Sequence, residues 1–253
     1  VALKLEHPEG WHSYYQNSGG VEQSPAIQWT LPDGFTAGPI QWPAPEVKDG
    51  FFGKSFVYQG SPVFLTEISA PATLESGKTI TLKADATWQI CEDSCLNEKK
   101  SFTLNLQSGQ EAEPDPQAAA LIQKARSTMP AAKPSWKISA TEKGDGFLLK
   151  VEADTPPTSD PTYFVPDQAF VKSASSGGSI QREGNTWLIQ LKRATKDALD
   201  NDVPQGKSFS GVLIGANPVR VPDTLIGGTA TSSEAAPSTA PNKPASLLGI
   251  LGG

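Results

Sequence analysis

The amino-acid sequence predicts an all-β protein made of two β sandwiches in tandem, joined by a short helix, and three observations carry that prediction. The 253 residues are too many for one ordinary sandwich and comfortable for two. With 22 Pro, 23 Gly and one Met, the chain is punctuated too often for long helices. Between the punctuation lie short runs rich in Thr, Val, Ile and aromatic residues, several of which alternate apolar and polar positions with the period of two that a half-buried strand needs.

Val1 to Leu5, Ile27 to Leu31 and Val63 to Ile68 read as short strands, separated by the turn signals Pro32-Asp33-Gly34, Gly38-Pro39 and Pro43-Ala44-Pro45. The clearest strand runs from Thr79 to Ile90. Ile80, Leu82, Ala84, Ala86, Trp88 and Ile90 fall on one face; Thr79, Thr81, Lys83, Asp85, Thr87 and Gln89 fall on the other. Phe102, Leu104 and Leu106 form a second alternating run, so the two are expected to pair as a hairpin whose connection carries both cysteines. About seven such strands make an immunoglobulin-like sandwich.

From Asp115 to Met129 the composition turns to Ala, Leu, Gln, Lys and Arg, with Asp115 placed as an N-cap, Pro116 at the first helical position and Pro130 just beyond the end. Trp136 to Ala140, then Phe147, Leu149 and Val151, then Tyr163 to Val165, then Trp187, Ile189 and Leu191, then Phe209 to Ile214 repeat the β grammar and predict a second immunoglobulin-like sandwich without cysteine. The expected boundaries are a first sandwich over 1–112, a helical linker over 113–134, a second sandwich over 135–226 and a flexible linker over 227–253. Thr229 to Ser246 is Ala, Ser, Thr and Pro with almost no bulky apolar residue to offset its ordering entropy. The closing Leu247-Leu248-Gly249-Ile250-Leu251-Gly252-Gly253 reads as the first turns of a membrane segment toward which that linker leads.

A net charge of −6 with no Lys/Arg cluster gives phosphate backbones and anionic lipid little to attract, which argues against nucleic acid as a partner. No run approaches the roughly 20 apolar residues that span a bilayer. A start at Val1 fits a processed chain from which a signal peptide has been removed.

Cys91 and Cys95, in Cys91-Glu92-Asp93-Ser94-Cys95, are the only thiols, so any internal disulfide joins them. Fully extended, the segment would hold their Cα atoms about 13 Å apart, beyond the roughly 7 Å limit for a bridge. It must therefore bend, and Glu-Asp-Ser supplies turn-forming residues. As a structural staple the pair is weak: closing a loop of about five residues removes only about 2 kcal/mol of unfolded-state entropy, against nearly 5 for a loop of about 100. As an exchange site it is better placed, because a short, bent loop makes a more reducible bond.

Glu92 and Asp93 disfavour the Cys91 thiolate, so the pair suits having its disulfide opened by a low-pKa thiolate on a partner such as a thioredoxin-like domain. Zinc held by Cys91, Cys95 and His7 or His12 falls short of four ligands. Copper(I) needs only two soft ligands. Trp11, Trp29 and Trp42, if exposed, would suit a carbohydrate-binding sandwich, although six Trp in two sandwiches are expected mostly in cores.

Three segments resemble a known family, the N-terminal domain of the thiol:disulfide interchange protein DsbD, and more closely its relatives among the suppressor-of-copper-sensitivity B proteins. Gly10-Trp11-His12-Ser13-Tyr14-Tyr15, with Gln28 to Phe35 and Gln41 to Pro45, resembles the opening of these domains. Asp49-Gly50-Phe51-Phe52-Gly53-Lys54-Ser55 resembles their cap loop, a flap whose phenylalanine covers the active disulfide until a partner docks. Ala86 to Cys91, with Cys95-Leu96, resembles the strand and turn that bear the redox cysteines. Residues 135–225 are similar, more loosely, to the second sandwich of the copper-sensitivity branch.

The resemblance implies a protein-disulfide reductase module with Cys91 and Cys95 as the redox pair, Asp49, Phe51, Phe52 and Gly53 as cap loop with Phe51 as the shielding ring, and Tyr14 against the disulfide. It implies no cofactor and no metal. It implies a location on the periplasmic side of the bacterial inner membrane, a thioredoxin-like electron donor, periplasmic disulfide proteins as acceptors and a membrane domain in the same polypeptide. Three departures stand out: only three residues separate the cysteines where the best-known domain has more, Gly50 replaces an acid, and Asn97 stands where a proline often follows the second cysteine. The alternative expectation is a non-catalytic copper- or protein-binding sandwich whose disulfide is inert.

Overall fold

The alternation that marks Thr79 to Ile90 in the sequence becomes the longest ladder of the first sandwich. A computed structural model describes residues 1–50, 53–109, 114–156, 158–175, 179–231 and 250–252. Before the helix lie β1 (Ala2–Lys4), β2 (His12–Tyr14), β3 (Ala26–Thr30), β4 (Thr36–Gln41), β5 (Glu46–Gly50), β6 (Gly53–Gln59), β7 (Val63–Ser69), β8 (Thr79–Cys91) and β9 (Cys95–Gln107). β8 pairs with β9 from Thr79↔Gln107 to Cys91↔Cys95, and on its other side meets β3 and, at its end, β2. β6 and β5 extend the sheet beyond β2.

β1, β7 and β4 form the opposing sheet. Between the two layers Leu3 and Phe64 from one meet Tyr15, Phe56, Tyr58, Ala84 and Ala86 from the other, which is the burial that the alternation of β8 demands. The helix α1 (Pro116–Thr128) starts where its signals put it: the Asp115 carboxylate accepts from the Ala118 N–H at 2.7 Å. Its Ile122 and Ala125 seat against Ala2 and Leu65, pinning the helix to the outside of the smaller sheet.

The second half holds β10 (Lys137–Lys143), β11 (Gly146–Glu152), β12 (Tyr163–Pro166), β13 (Ala174–Ser175), β14 (Ile180–Glu183), β15 (Thr186–Lys192), β16 (Ser208–Ile214), β17 (Val219–Leu225) and β18 (Gly228–Thr231). They form sheets of order β14-β15-β11-β10-β18 and β13-β12-β16-β17 around Trp136, Phe147, Leu149, Trp187 and Phe209. The architecture is thus all-β, in immunoglobulin-like sandwiches.

The sandwiches are not independent. Val165 and Val212 of the second join the core cluster of the first. Beside them the Asp167 carboxylate, 6% exposed, accepts from the Tyr15 hydroxyl at 2.5 Å, from Ser210 Oγ at 2.5 Å and from both Nη atoms of Arg220. Burial, reinforced by the Asp167 charge, pushes the Tyr15 hydroxyl far up in pKa, so it stays a donor.

Two parts of the structure depart from the sequence expectation. Within 227–253, expected as a flexible linker, Gly228–Thr231 is a strand on β10, and Ile250–Gly252 (β19) lies parallel to β1. Each adds to a sheet edge that would otherwise present unpaired N–H and C=O groups, and edge pairing of this kind needs no amphipathic pattern. β4 incorporates Gly38-Pro39, which reads as a turn; its ladder with β7 shifts register between Ala37 and Ile40, and that irregularity takes up the proline. No helix among the described residues is long and apolar enough to cross a membrane.

Candidate functional site

At the end of the β8–β9 hairpin the register places Cys91 directly opposite Cys95, and Glu92, Asp93 and Ser94 turn the chain with a Glu92 N–H to Ser94 C=O bond of 3.1 Å. The Cα atoms stand 4.2 Å apart and the sulfurs are bonded at 2.03 Å. The bend that the sequence requires is therefore a three-residue hairpin loop. Both sulfurs are engaged with each other and neither is available to a metal in this state. Their exposure is unequal: Cys91 is 3% exposed, whereas Cys95 is open to solvent.

Strand parity decides which face carries the bond. Ile90 continues the inner row of β8, so Cys91, the next residue, points to the outer face of the large sheet. Along β2 and the residue that follows it, the same parity separates Ser13 and Tyr15, fully buried toward the core, from His12 and Tyr14 on the outer face. His12 is the register partner of Cys91, and residues directly opposite hold their Cβ atoms about 5 Å apart. Tyr14, Val57 and Cys91 form a small buried cluster of their own, separate from the main core.

Polar groups surround this cluster. His12 Nε2 lies 3.1 Å from the Tyr14 hydroxyl. Burial holds the His12 ring below its usual pKa; a backbone hydrogen bond to Gly10 opposes that, Lys48 reinforces it and Glu22 opposes it. Burial, aided by Glu22, pushes Tyr14 up to about 12. His7 is pushed down to about 4 by burial and by His12, and neither of its ring nitrogens has a partner.

Glu22 comes from the connection between β2 and β3, which is fastened beside the site by the Gln23 N–H donating to Gln89 Oε1 at 3.0 Å. One Glu22 carboxylate oxygen is buried without a hydrogen-bond partner. Gly10, with φ +85°, lies against the Glu92 carboxylate of the cysteine loop; a Cβ there would sit 2.2 Å from Glu92 Oε1. His7, Trp11, Gln59 and their neighbours line an open cavity of about 300 Å³ next to this loop.

The expected site residues distribute as follows. Tyr14 joins Cys91 in the buried outer-face cluster. Asp49, on β5, is exposed and paired with Lys54 at 2.5 Å. Gly53 opens β6 opposite Gly50 with φ +121°, so the segment expected as a cap loop is a hairpin of β5 and β6. Phe51 and Phe52 lie outside the described residues. At Gly50, where the family's best-known domain carries an acid, a Cβ would meet Ser55 Oγ at 2.0 Å.

His12 and Glu22 are the polar neighbours of the pair that the sequence reading did not assign to redox chemistry, since His12 entered it only as a metal ligand. The signal was the His12-Ser13-Tyr14 spacing, which puts both rings on one face once the segment is recognised as a strand.

An exposed cysteine bonded to a buried one, at a hairpin end on an immunoglobulin-like sandwich, defines a β module with a disulfide at its surface. Comparison with known proteins finds likeness for the part that carries the cysteines. Residues 1–107, which end with β9 and include both cysteines, match the model for the thiol:disulfide interchange protein DsbD, N-terminal. Among solved structures, the N-terminal periplasmic domain of ScsB from Proteus mirabilis superposes with a TM-score of 0.63 at 16% identity, covering 88% of this chain and 85% of that one. That likeness spans both sandwiches and shows a shared fold. No curated protein matches the chain. The family match and the Cys91–Cys95 bond together fit a thiol–disulfide interchange module.

Proposed function

We propose that the chain is a periplasmic protein-disulfide reductase module whose Cys91–Cys95 disulfide cycles through a dithiol. The observation that supports this is the unequal exposure of the two bonded residues: Cys95 is exposed, whereas Cys91 is only 3% exposed. A thiolate on a thioredoxin-like donor attacks Cys95 Sγ, and Cys91 leaves as the thiolate and takes up a proton. The donor's second thiol then resolves the mixed disulfide, leaving both cysteines reduced. The dithiol passes its two electrons to the disulfide of a periplasmic target. In this reading a membrane domain of the same polypeptide replenishes the donor, and residues 49–53, with Phe51 at their centre, act as the flap over the bond.

Trapping tests the proposal. Cys91→Ser leaves one exposed thiol and should accumulate a mixed disulfide with a thioredoxin-like domain, read as a band on a non-reducing gel. Cys95→Ser leaves a buried thiol and should trap far less. Equal trapping by the two variants, or none by either, would return the bond to the role of a staple.

A further inference from the structure

An exchange site needs somewhere to put a proton, and Asp49 and Gly50 on β5 do not offer it: Asp49 is paired with Lys54, and Gly50 carries no titratable group. The need is acute at Cys91. When a target sulfur is joined to Cys95, Cys91 must lose its proton to attack, yet it is 3% exposed and packed with Tyr14 and Val57, where bulk solvent does not serve as base. We propose that His12 is the proton acceptor for the Cys91 thiol, acting through the Tyr14 hydroxyl, when the Cys91–Cys95 bond re-forms. The assignment rests on thiol–disulfide exchange at this pair.

The geometry supplies the parts. His12 stands opposite Cys91 on the same sheet face, and its Nε2 is 3.1 Å from the Tyr14 hydroxyl. The relay uses the tautomer that carries its proton on Nδ1, which leaves Nε2 facing the Tyr14 hydroxyl. In that tautomer Nε2 accepts from the Tyr14 O–H, within the hydrogen-bond reach that proton abstraction needs.

The charged and titratable groups around the ring divide the labour. Lys48 from β5, together with burial, keeps the ring neutral and ready to accept. Glu22, from the β2–β3 connection, favours the imidazolium once it forms. Glu92, from the hairpin loop, lies against Gly10. His7, from the β1–β2 connection, interacts with His12 and is itself neutral, with a pKa of about 4.

The step balances. The Cys91 S–H proton passes to the Tyr14 oxygen while the Tyr14 proton passes to His12 Nε2. The Cys91 thiolate attacks Cys95 Sγ, the bond from Cys95 to the target sulfur breaks, and the target leaves as a thiolate carrying the electron pair. The imidazolium then protonates that thiolate or gives its proton to solvent. Opening by a donor thiolate runs the same path backwards.

The test uses oxidised glutathione as the target. Reduced protein is mixed with it, quenched in acid at intervals and weighed by mass spectrometry. Glutathionylated wild type should not accumulate. His12→Gln and Tyr14→Phe, each confirmed as folded by circular dichroism, should accumulate glutathione on Cys95, with ring closure about 10–100-fold slower at neutral pH. Their closure rates should climb steadily with pH as hydroxide replaces the lost base, whereas the wild-type rate levels off once His12 is neutral. Closure in both variants that matches wild type in rate and pH profile would overturn the assignment while leaving exchange intact. Slowing in His12→Gln alone would remove Tyr14 from the path and overturn the relay. Failure of Cys95 to take up glutathione in any of the proteins would remove the exchange reading and the relay with it.

Discussion

Breaking the Cys91–Cys95 bond should leave the fold standing, and the structure sets the size of the effect. The bonded residues are four apart in sequence, so the closed loop holds about five residues and constrains the unfolded chain by about 2 kcal/mol. The hairpin does not depend on the bond for its register: β8 and β9 are each 13 residues long and paired throughout, with Ile80, Leu82, Ala84 and Ala86 buried on the inner face. In a chain of this size about 2 kcal/mol corresponds to a fall in Tm of about 4–8 °C.

Calorimetry of the oxidised protein against the same protein held in a phosphine reductant measures that difference with no substitution at all. Cys91→Ala gives the matched variant, and there electron transfer should vanish while the melt stays cooperative. A reduced protein that loses more than about 5 kcal/mol, or melts without a cooperative transition, would mean that the bond holds the sandwich together and that the loop-entropy reasoning is wrong.

Three further outcomes follow from named contacts. Asp167→Ala strands Arg220 and the Tyr15 hydroxyl at the junction of the sandwiches and should cost about 3 kcal/mol in urea denaturation, with Asp167→Asn milder because it keeps acceptors for both. His7 titrates at about 4 in the folded chain against about 6.5 unfolded, so between those values the unfolded state binds a proton that the native state does not. Stability should therefore fall as pH drops through that window, by about 0.7 kcal/mol per unit after discounting for partial exposure, and His7→Gln should flatten the curve. Asp115→Ala removes the cap on the Ala118 N–H and should cost about 1 kcal/mol, read in a thermal melt.

What the sequence discloses and what it hides follow from whether the signal is local. β8 is legible because its inner row alternates without a break, and α1 because Asp115, Pro116 and Pro130 mark both ends within the helix's own neighbourhood. β4 and β17 are obscured by Pro39 and Pro222, which read as breakers but sit in edge strands, where a missing donor is tolerated. β2 is only three residues long, too short for any period to show.

The candidate site divides along the same line. That any internal disulfide joins Cys91 to Cys95, and bends the segment between them, could be read from their being the only thiols. That one is buried and the other exposed depends on which face the strand presents at its last residue and on what β2 and the β2–β3 connection lay over it, contacts about 70 to 80 residues away in sequence that no window contains. The Tyr15–Asp167–Arg220 cluster is equally hidden: its members are separated by 152 and 53 residues, so a sequence reading renders the sandwiches as beads on a string.

That cluster and the disulfide site meet on one short strand. Ser13 on β2 and Tyr15 just after it look inward, and Tyr15 ends in the polar contact with the second sandwich. His12 and Tyr14, the alternate residues, look outward to Cys91. In a strand a shift of the backbone moves both faces together, so whatever fixes Tyr15 also fixes the distance between Tyr14 and the sulfurs. The second sandwich carries no cysteine, yet through Asp167 and Arg220 it clamps the inner side of the strand whose outer side handles the disulfide. If Cys91 and Cys95 exchange electrons as proposed, the second sandwich should act on that chemistry as a positioning element, and disrupting the contact with Asp167→Ala should alter the rate at which the Cys91–Cys95 bond is opened by a thiol, read by mass spectrometry.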